Sequence, residues 1–436
     1  MKVNDKFGDT SDDKFNDKSD GIFNDKSGAK TERDCVLCGC CLEQCPLFAA
    51  TGREELSPRA KALLAGPSKF AAATLDEAAV AELAGLCLAC GKCEKLCPQG
   101  VSVPRLIARL RAEHPDFRQW LWKQWITRLK PFWSLAAKGA ALMPESMTSA
   151  LAPAGLGLAL KGLRGLRPGL GLRPWLAITK FPAEAYRQKH ADRPVVLFDG
   201  CVGSGPRKVW ADTARRLLRG LGANLAEAGF SCCGSTLGVA GLPGDQLAAR
   251  RANVAAWRKA GRPLVVTYCA TCRKGLAEYV GPEGGAGLFA DAEEEAAWTA
   301  SVTPLSALLA GAQAKAGRGA PAIVGWHKPC HADLGVGPAD SDFKLMGALL
   351  GARLRTPAKA GCCGFGGIMQ LGAPELSARV GAACWDGLDG ALGFSAAPEV
   401  TPAYVLTDCS GCVMQLCATA PQGARVGHWL EVIAAK

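Results

Sequence analysis

The sequence contains no unbroken run of about 20 apolar residues, so no segment reads as a membrane-spanning helix. Its most apolar stretch, residues 139–175, is interrupted by Pro144, Glu145 and Pro153. Lys and Arg never run to five in a row and no nucleic-acid-binding motif occurs, which argues against a nucleic-acid partner despite a formal net charge of +11. No G-x-G-x-x-G stands at a strand–helix junction, so nothing reads as a dinucleotide cradle. Residues 1–34 lack an apolar signal core, which predicts a cytoplasmic chain whose thiols stay reduced.

What the chain has in excess is cysteine, 21 in 436 residues, against an ordinary background of 49% hydrophobic and 21% charged residues. The length allows two or three domains. In a large chain under reducing conditions, clustered cysteines bind metal or do redox chemistry more often than they form disulfides.

Five regions are expected. Residues 1–34 repeat a polar phrase, DDKFNDKSD then GIFNDKSGAK, and read as a disordered leader in which Phe15 and Phe23 stand alone. Residues 35–135 hold the first cysteine set and one or two helices over 104–135, where Trp120, Trp122, Trp125 and Trp133 lie among Arg and Lys. Those tryptophans suit either a membrane-interface belt or a core and subunit contact. Residues 136–193, rich in Gly, Leu and Pro, are expected to be a linker. From residue 194 short β-branched runs such as VVLFDG, LVVTYC, AIVGWH and YVLTDC alternate with helical stretches. The fold class is therefore α/β plus an α-helical ferredoxin-like part, with an α/β domain over 194–320 and its repeat over 321–436.

Cys35, Cys38, Cys41 and Cys45 precede Pro46 in the spacing C-x2-C-x2-C-x3-C-P, and Cys87, Cys90, Cys93 and Cys97 precede Pro98 in the same spacing. This is the run that holds paired [4Fe–4S] clusters, the fourth cysteine of each motif serving the other cluster. Cys35, Cys38, Cys41 and Cys97 are thus assigned to one cluster, and Cys87, Cys90, Cys93 and Cys45 to the second. Zinc sites show separated CxxC pairs instead. Cys40 falls between ligands and is read as a small buried side chain. The 41 residues between Cys45 and Cys87 predict a helical insertion from SPRAKALL onward. Each cluster with four thiolates carries about −2 or −3, which offsets part of the basic charge.

A second constellation occurs twice: Cys201, Cys232–Cys233–Gly234 and Cys269-x-x-Cys272, then Cys330, Cys362–Cys363–Gly364 and Cys409-x-x-Cys412. Matching members lie 129, 130 and 140 residues apart, which marks a duplication. The single cysteines and CxxC pairs follow apolar β-like runs, so loops at the carboxyl ends of strands are expected to converge on one site. His327 and His331 flank Cys330 and are candidates as ligands, proton carriers or hydrogen-bond donors. Cys384 and Cys417 read as core cysteines.

This pattern resembles the cysteine-rich CCG domain of heterodisulfide reductase subunits and of the iron–sulfur subunits of glycolate oxidase, lactate utilisation proteins and anaerobic glycerol-3-phosphate dehydrogenase. The phrase CVLCGCCLEQCPLFAATGREELSPRAKALL is most similar to the glycolate oxidase and D-lactate dehydrogenase group, with SPRAKA at Ser57–Ala62 where that group has SPRGR. The resemblance implies an oxidoreductase subunit with no catalytic residue of its own. It would carry electrons from an FAD-binding lactate or glycolate dehydrogenase to a quinone or a redox protein, in the cytoplasm or peripherally on the inner face of the cytoplasmic membrane. It implies two [4Fe–4S] clusters and, in the CCG copies, a further iron–sulfur cluster or zinc. The second copy is the stronger candidate, on GWHKPCH and CCGFGG. The alternative it implies is a heterodisulfide reductase-like subunit with a catalytic CCG cluster.

Overall fold

A computed structural model describes residues 35–65, 75–151, 156–167, 171–190, 193–281, 284–285, 287–359, 361–393 and 403–434; the expected leader lies outside them. The amino-terminal part is helical. Pro46 follows Cys45 directly and opens the helix Pro46–Thr51, where its missing N–H costs nothing. Between the two cysteine motifs lie the helices Pro58–Ala65 and Glu77–Gly85, the second capped by the Asp76 carboxylate accepting from the Ala79 amide at 2.8 Å. Helix Val103–Glu113 buries Val103, Leu106, Ile107 and Leu110, an i, i+3, i+4, i+7 stripe, against Ala62 and Ala84. Pro115 and Pro131 interrupt the chain beyond it, so 104–135 holds the helix Val103–Glu113, the helix Phe117–Thr127 and the start of Trp133–Leu142.

Residues 136–193 are not the linker their composition suggests. They include the helix Leu156–Gly165 and the strand β1 (Leu176–Lys180). Glycine here serves close approach: a Cβ on Gly162 would lie 3.3 Å from the Met414 carbonyl, and one on Gly165 would collide with Cys417. The helix Leu156–Gly165 thus lies tightly on the helix Ser410–Ala418. Strand β1 pairs antiparallel with β5 (Gln313–Ala316) and parallel with β10 (Ile433–Ala434).

Two parallel sheets form the remainder. In the first, β3 (Leu264–Thr267) lies between β2 (Val195–Phe198) and β4 (Val302–Pro304). In the second the order is β7-β6-β8-β9, made by Leu354–Arg355, Val324–Trp326, Tyr404–Thr407 and Arg425–His428. The isolated bridge Val195↔Leu225 occupies the place that β7 takes beside β6. Both β2 and β3 are buried along their whole length, as strands covered by helices on both faces must be.

The helical part seats on both sheet units. Leu47, Leu56 and Leu88 share a core with Met369, Ala373 and Val380 of the second. Buried Arg111 donates to the carbonyls of Ala84 (3.0 Å) and Cys87 (2.8 Å) and to Val239 of the first (2.7 Å). Gln119 adds a bond of 2.9 Å to the Ala240 carbonyl. One guanidinium thereby ties a cysteine loop to a neighbouring domain.

Candidate metal centre

The two ferredoxin-type loops share an unusual backbone. Leu37 and Ala89, each just before the second cysteine, have φ of 57° and 48°, and Gly39 and Gly91, just after it, have 80° and 77°. Left-handed backbone at a non-glycine residue costs energy and persists where the surroundings impose it, here a loop wound tightly enough to turn its sulfurs inward. The loops also bring each fourth cysteine to the opposite motif. Cys41 has Cys35, Cys38 and Cys97 as its charged neighbours, and Cys93 has Cys87, Cys90, Cys45 and Cys41. Amide N–H groups reach two sulfurs, Ala89 to Cys87 at 3.4 Å and Val101 to Cys97 at 3.3 Å. Cys40 is exposed, not buried as its sequence position suggested, because the next residue, Cys41, is the one that turns inward.

In each sheet unit the five cysteines form a chain of touching thiols. In the first, Cys201 meets Cys232, Cys233 meets Cys272, and Cys272 meets Cys269. In the second, Cys330 meets Cys362, Cys363 meets Cys412, and Cys412 meets Cys409. In both chains the thiol at the first position of the Cys-Cys pair is made more acidic, and in the first chain so is Cys269. Cys232 is held well below the usual range by hydrogen bonds from Cys201 and Cys233, and Cys362 likewise by Cys330 and Cys363. The two CxxC turns abut: Cys269 contacts Cys409, the Thr271 hydroxyl lies 3.1 Å from Cys409 Sγ, and the Ser410 hydroxyl 3.5 Å from Cys269 Sγ.

A cavity of about 450 Å³ runs between these sites. Cys201, Cys232, Cys233 and Cys272 line one side, Cys330, Cys362, Cys363, Cys409 and Cys412 the other, and Cys90 of the ferredoxin-type part reaches it too. Its roof is apolar: Trp122, Trp125 and Trp133 with Leu160 and Leu163. Cys90 is pushed up to about 12 by burial first and by the charge of Cys362 next. Of the two units, the second is thus the one whose thiol charge reaches a ferredoxin-type loop sulfur.

Both expected histidines are buried here. His331 Nδ1 lies 3.1 Å from the Thr271 hydroxyl, its Nε2 has no partner, and burial lowers it to about 3. His327 Nδ1 lies 3.4 Å from Cys384 Sγ, its Nε2 is likewise unpartnered, and burial lowers it to about 4. Ligand atoms of His327, Cys363 and Cys412 all lie within 4.8 Å of one another. Iron or zinc fits these residues. Thiols packed this closely repel as thiolates, and a bound cation removes that repulsion while keeping them deprotonated.

The 4Fe-4S dicluster domain family matches residues 32–101, and the Cysteine-rich domain family matches twice, at residues 195–277 and 324–417. The chain is a 4Fe-4S dicluster and cysteine-rich (CCG) domain protein. It is 24% identical over 411 residues to the probable glycolate oxidase iron-sulfur subunit of Bacillus subtilis (strain 168), covering 88% of each chain. It is 25% identical over 379 residues to a dihydromethanophenazine:CoB–CoM heterodisulfide reductase subunit of Methanosarcina barkeri, covering 80% of this chain and 81% of that one. The Methanosarcina mazei protein of the same name is 25% identical over 380 residues, covering 79% of this chain and 81% of that one.

The dicluster domain contains all eight ferredoxin-type cysteines, and each CCG domain contains all five of its set. Cys384 reads as a core cysteine and is buried, but it also touches His327. Cys417 is half-buried against Gly165 and reaches the Val426 carbonyl at 3.9 Å. Sequence reasoning passed over Thr271 and Ser410, although both stand inside CxxC turns. Arg111 and the tryptophan roof carry no motif at all.

Proposed function

We propose that this chain is the iron–sulfur electron-transfer subunit of a D-lactate or glycolate dehydrogenase. It would receive electrons from an FAD-binding partner and pass them to a quinone or redox protein. Cys35, Cys38, Cys41 and Cys97 hold one [4Fe–4S] cluster, and Cys87, Cys90, Cys93 and Cys45 the other. The CCG domains hold one further iron–sulfur cluster or zinc, with Cys330, Cys362, Cys363, Cys409 and Cys412 the stronger candidate site and Cys201, Cys232, Cys233, Cys269 and Cys272 the second. Such clusters supply one-electron storage at potentials set by the surrounding hydrogen bonds and charge. The protein's own part is to wind the loops, donate N–H groups to sulfur and bring the sites close together.

One observation carries this reading: Cys90 lines the same cavity as Cys330 and Cys362 and is within reach of their charge, so sulfur sites follow one another from the dicluster domain into the CCG domains. The cavity adds to it. No Lys, Arg, Asp or Glu is among the described residues that line it, so no Lys or Arg there would form an ion pair with a hydroxyacid carboxylate. Substrate oxidation then belongs to the partner.

The test is rapid mixing of the cluster-loaded chain with a flavoprotein pre-reduced by D-lactate or glycolate. Bleaching of the chain's visible absorbance within the turnover time is expected; no bleaching overturns the reading. A second reading, disulfide reduction at the CCG site, is favoured by the cavity lying between two cysteine sets. It requires the isolated chain to reduce a disulfide with electrons from a reduced dye.

A further inference from the structure

Eleven large hydrophobic side chains are exposed among the described residues, and seven of them fall between positions 117 and 147. Phe117 and Trp120 stack on the helix Phe117–Thr127, ring centroids 5.4 Å apart, and Phe117 is 71% exposed. Leu129 and Phe132 lie in the turn beyond this helix. On the helix Trp133–Leu142 the exposed residues Leu135, Lys138, Gly139 and Leu142 have the spacing of one face, with Leu142 81% exposed. Trp133, Ala137 and Ala140 pack inward on the other side.

The charge on this segment is one-sided. Residues 117–147 hold five basic side chains, Arg118, Lys123, Arg128, Lys130 and Lys138, against the single acid Glu145. Lys123 pairs with Asp245 and Arg118 with Asp116, whereas Arg128 and Lys138 make no ion pair among the described residues. No helix among the described residues is long and apolar enough to cross a membrane. Aromatic and leucine tips interleaved with Lys and Arg, on helices too short to span and held to the core by their other sides, offer both the apolar and the basic part of an interfacial contact. Protein interfaces share the aromatics and Arg found here but deplete lysine from their centres, so Lys138, set between Leu135 and Leu142, is what speaks against a protein occupant. Leu129 also lines the cavity, so the same surface borders the cavity's edge.

We infer that the face formed by residues 117–147 lies on an anionic lipid bilayer. Phe117, Trp120, Phe132, Leu135 and Leu142 enter the boundary between headgroups and acyl chains, and Arg128 and Lys138 sit on the headgroup phosphates. The attraction has an apolar part and a charge part, and the charge part weakens with salt.

The test is sedimentation of the full-length, cluster-loaded chain with phosphatidylcholine vesicles, with or without phosphatidylglycerol, and uses no electron transfer. Binding to the anionic vesicles is expected, reduced about tenfold or more in Leu135→Ser/Leu142→Ser and in Phe117→Ser/Trp120→Ser, and reduced by Arg128→Glu/Lys138→Glu in a salt-dependent way. Each variant is checked for unchanged visible absorbance. Brominated lipids should quench tryptophan fluorescence of the unsubstituted chain, a readout that needs no variant. Absence of vesicle binding by that chain overturns the inference, as does binding that all three pairs leave intact. Retention only on membranes that still hold their proteins overturns it as well and makes a protein the occupant.

Discussion

His428 shows how one residue's hydrogen bonds fix its protonation state. It is fully buried beneath Tyr268 and Trp210; its Nε2 lies 3.2 Å from the Tyr268 carbonyl and its Nδ1 accepts from the Leu430 amide at 3.2 Å. Only the neutral ring protonated on Nε2 satisfies both, and burial lowers the group to about 4. The unfolded chain, with an ordinary histidine near 6.5, therefore binds more protons between pH 4 and 6.5, and stability must rise with pH across that window. His428→Gln should flatten this dependence. The wild-type advantage, full above pH 6.5, should shrink by an amount on the order of 3 kcal/mol as pH falls to 4. Urea unfolding midpoints of both proteins from pH 4 to 7.5 provide the check.

Glycine decides several contacts at the level of elements. Gly234 and Gly364 stand directly after the Cys-Cys pairs at φ of 83° and 87°, so both need the left-handed region. They differ in what surrounds them. A Cβ on Gly364 would collide with the Ser377 carbonyl, while one on Gly234 would lie 3.1 Å from the Gln246 carbonyl. Gly364→Ala should therefore cost about 3 kcal/mol or more, and Gly234→Ala about 1–2 kcal/mol. Thermal midpoints and metal content of the two variants should rank in that order.

The same residue explains what the sequence did and did not disclose. The cysteine runs and apolar strands were legible because ligand spacing and β-branched runs are local signals. Residues 136–193 were misread because glycine and proline also mark loops, and only the facing residues Met414 and Cys417 reveal that Gly162 and Gly165 make room for a helix. Cys40 was misplaced because local spacing does not say which of two adjacent cysteines turns inward.

For the whole molecule, the informative feature is asymmetry. Two similar CCG domains meet at their CxxC turns, yet the dicluster domain's thiol Cys90 feels the charge of the second, through Cys362, with Leu88 packed on Gly366. The first is tied to it instead through Arg111 and Gln119. These contacts join residues more than a hundred positions apart and leave no periodic trace in the sequence. They order the sites, with the second CCG domain nearer the dicluster domain. Electron transfer through this order of sites requires these cysteines to bind iron. Its most direct test is the iron and acid-labile sulfide content of the anaerobically prepared chain, with its visible spectrum. About eight irons for the dicluster pair, or about twelve with one further cluster, and absorbance near ~400 nm are predicted. A colourless chain without iron or sulfide, or one holding zinc alone, would contradict it.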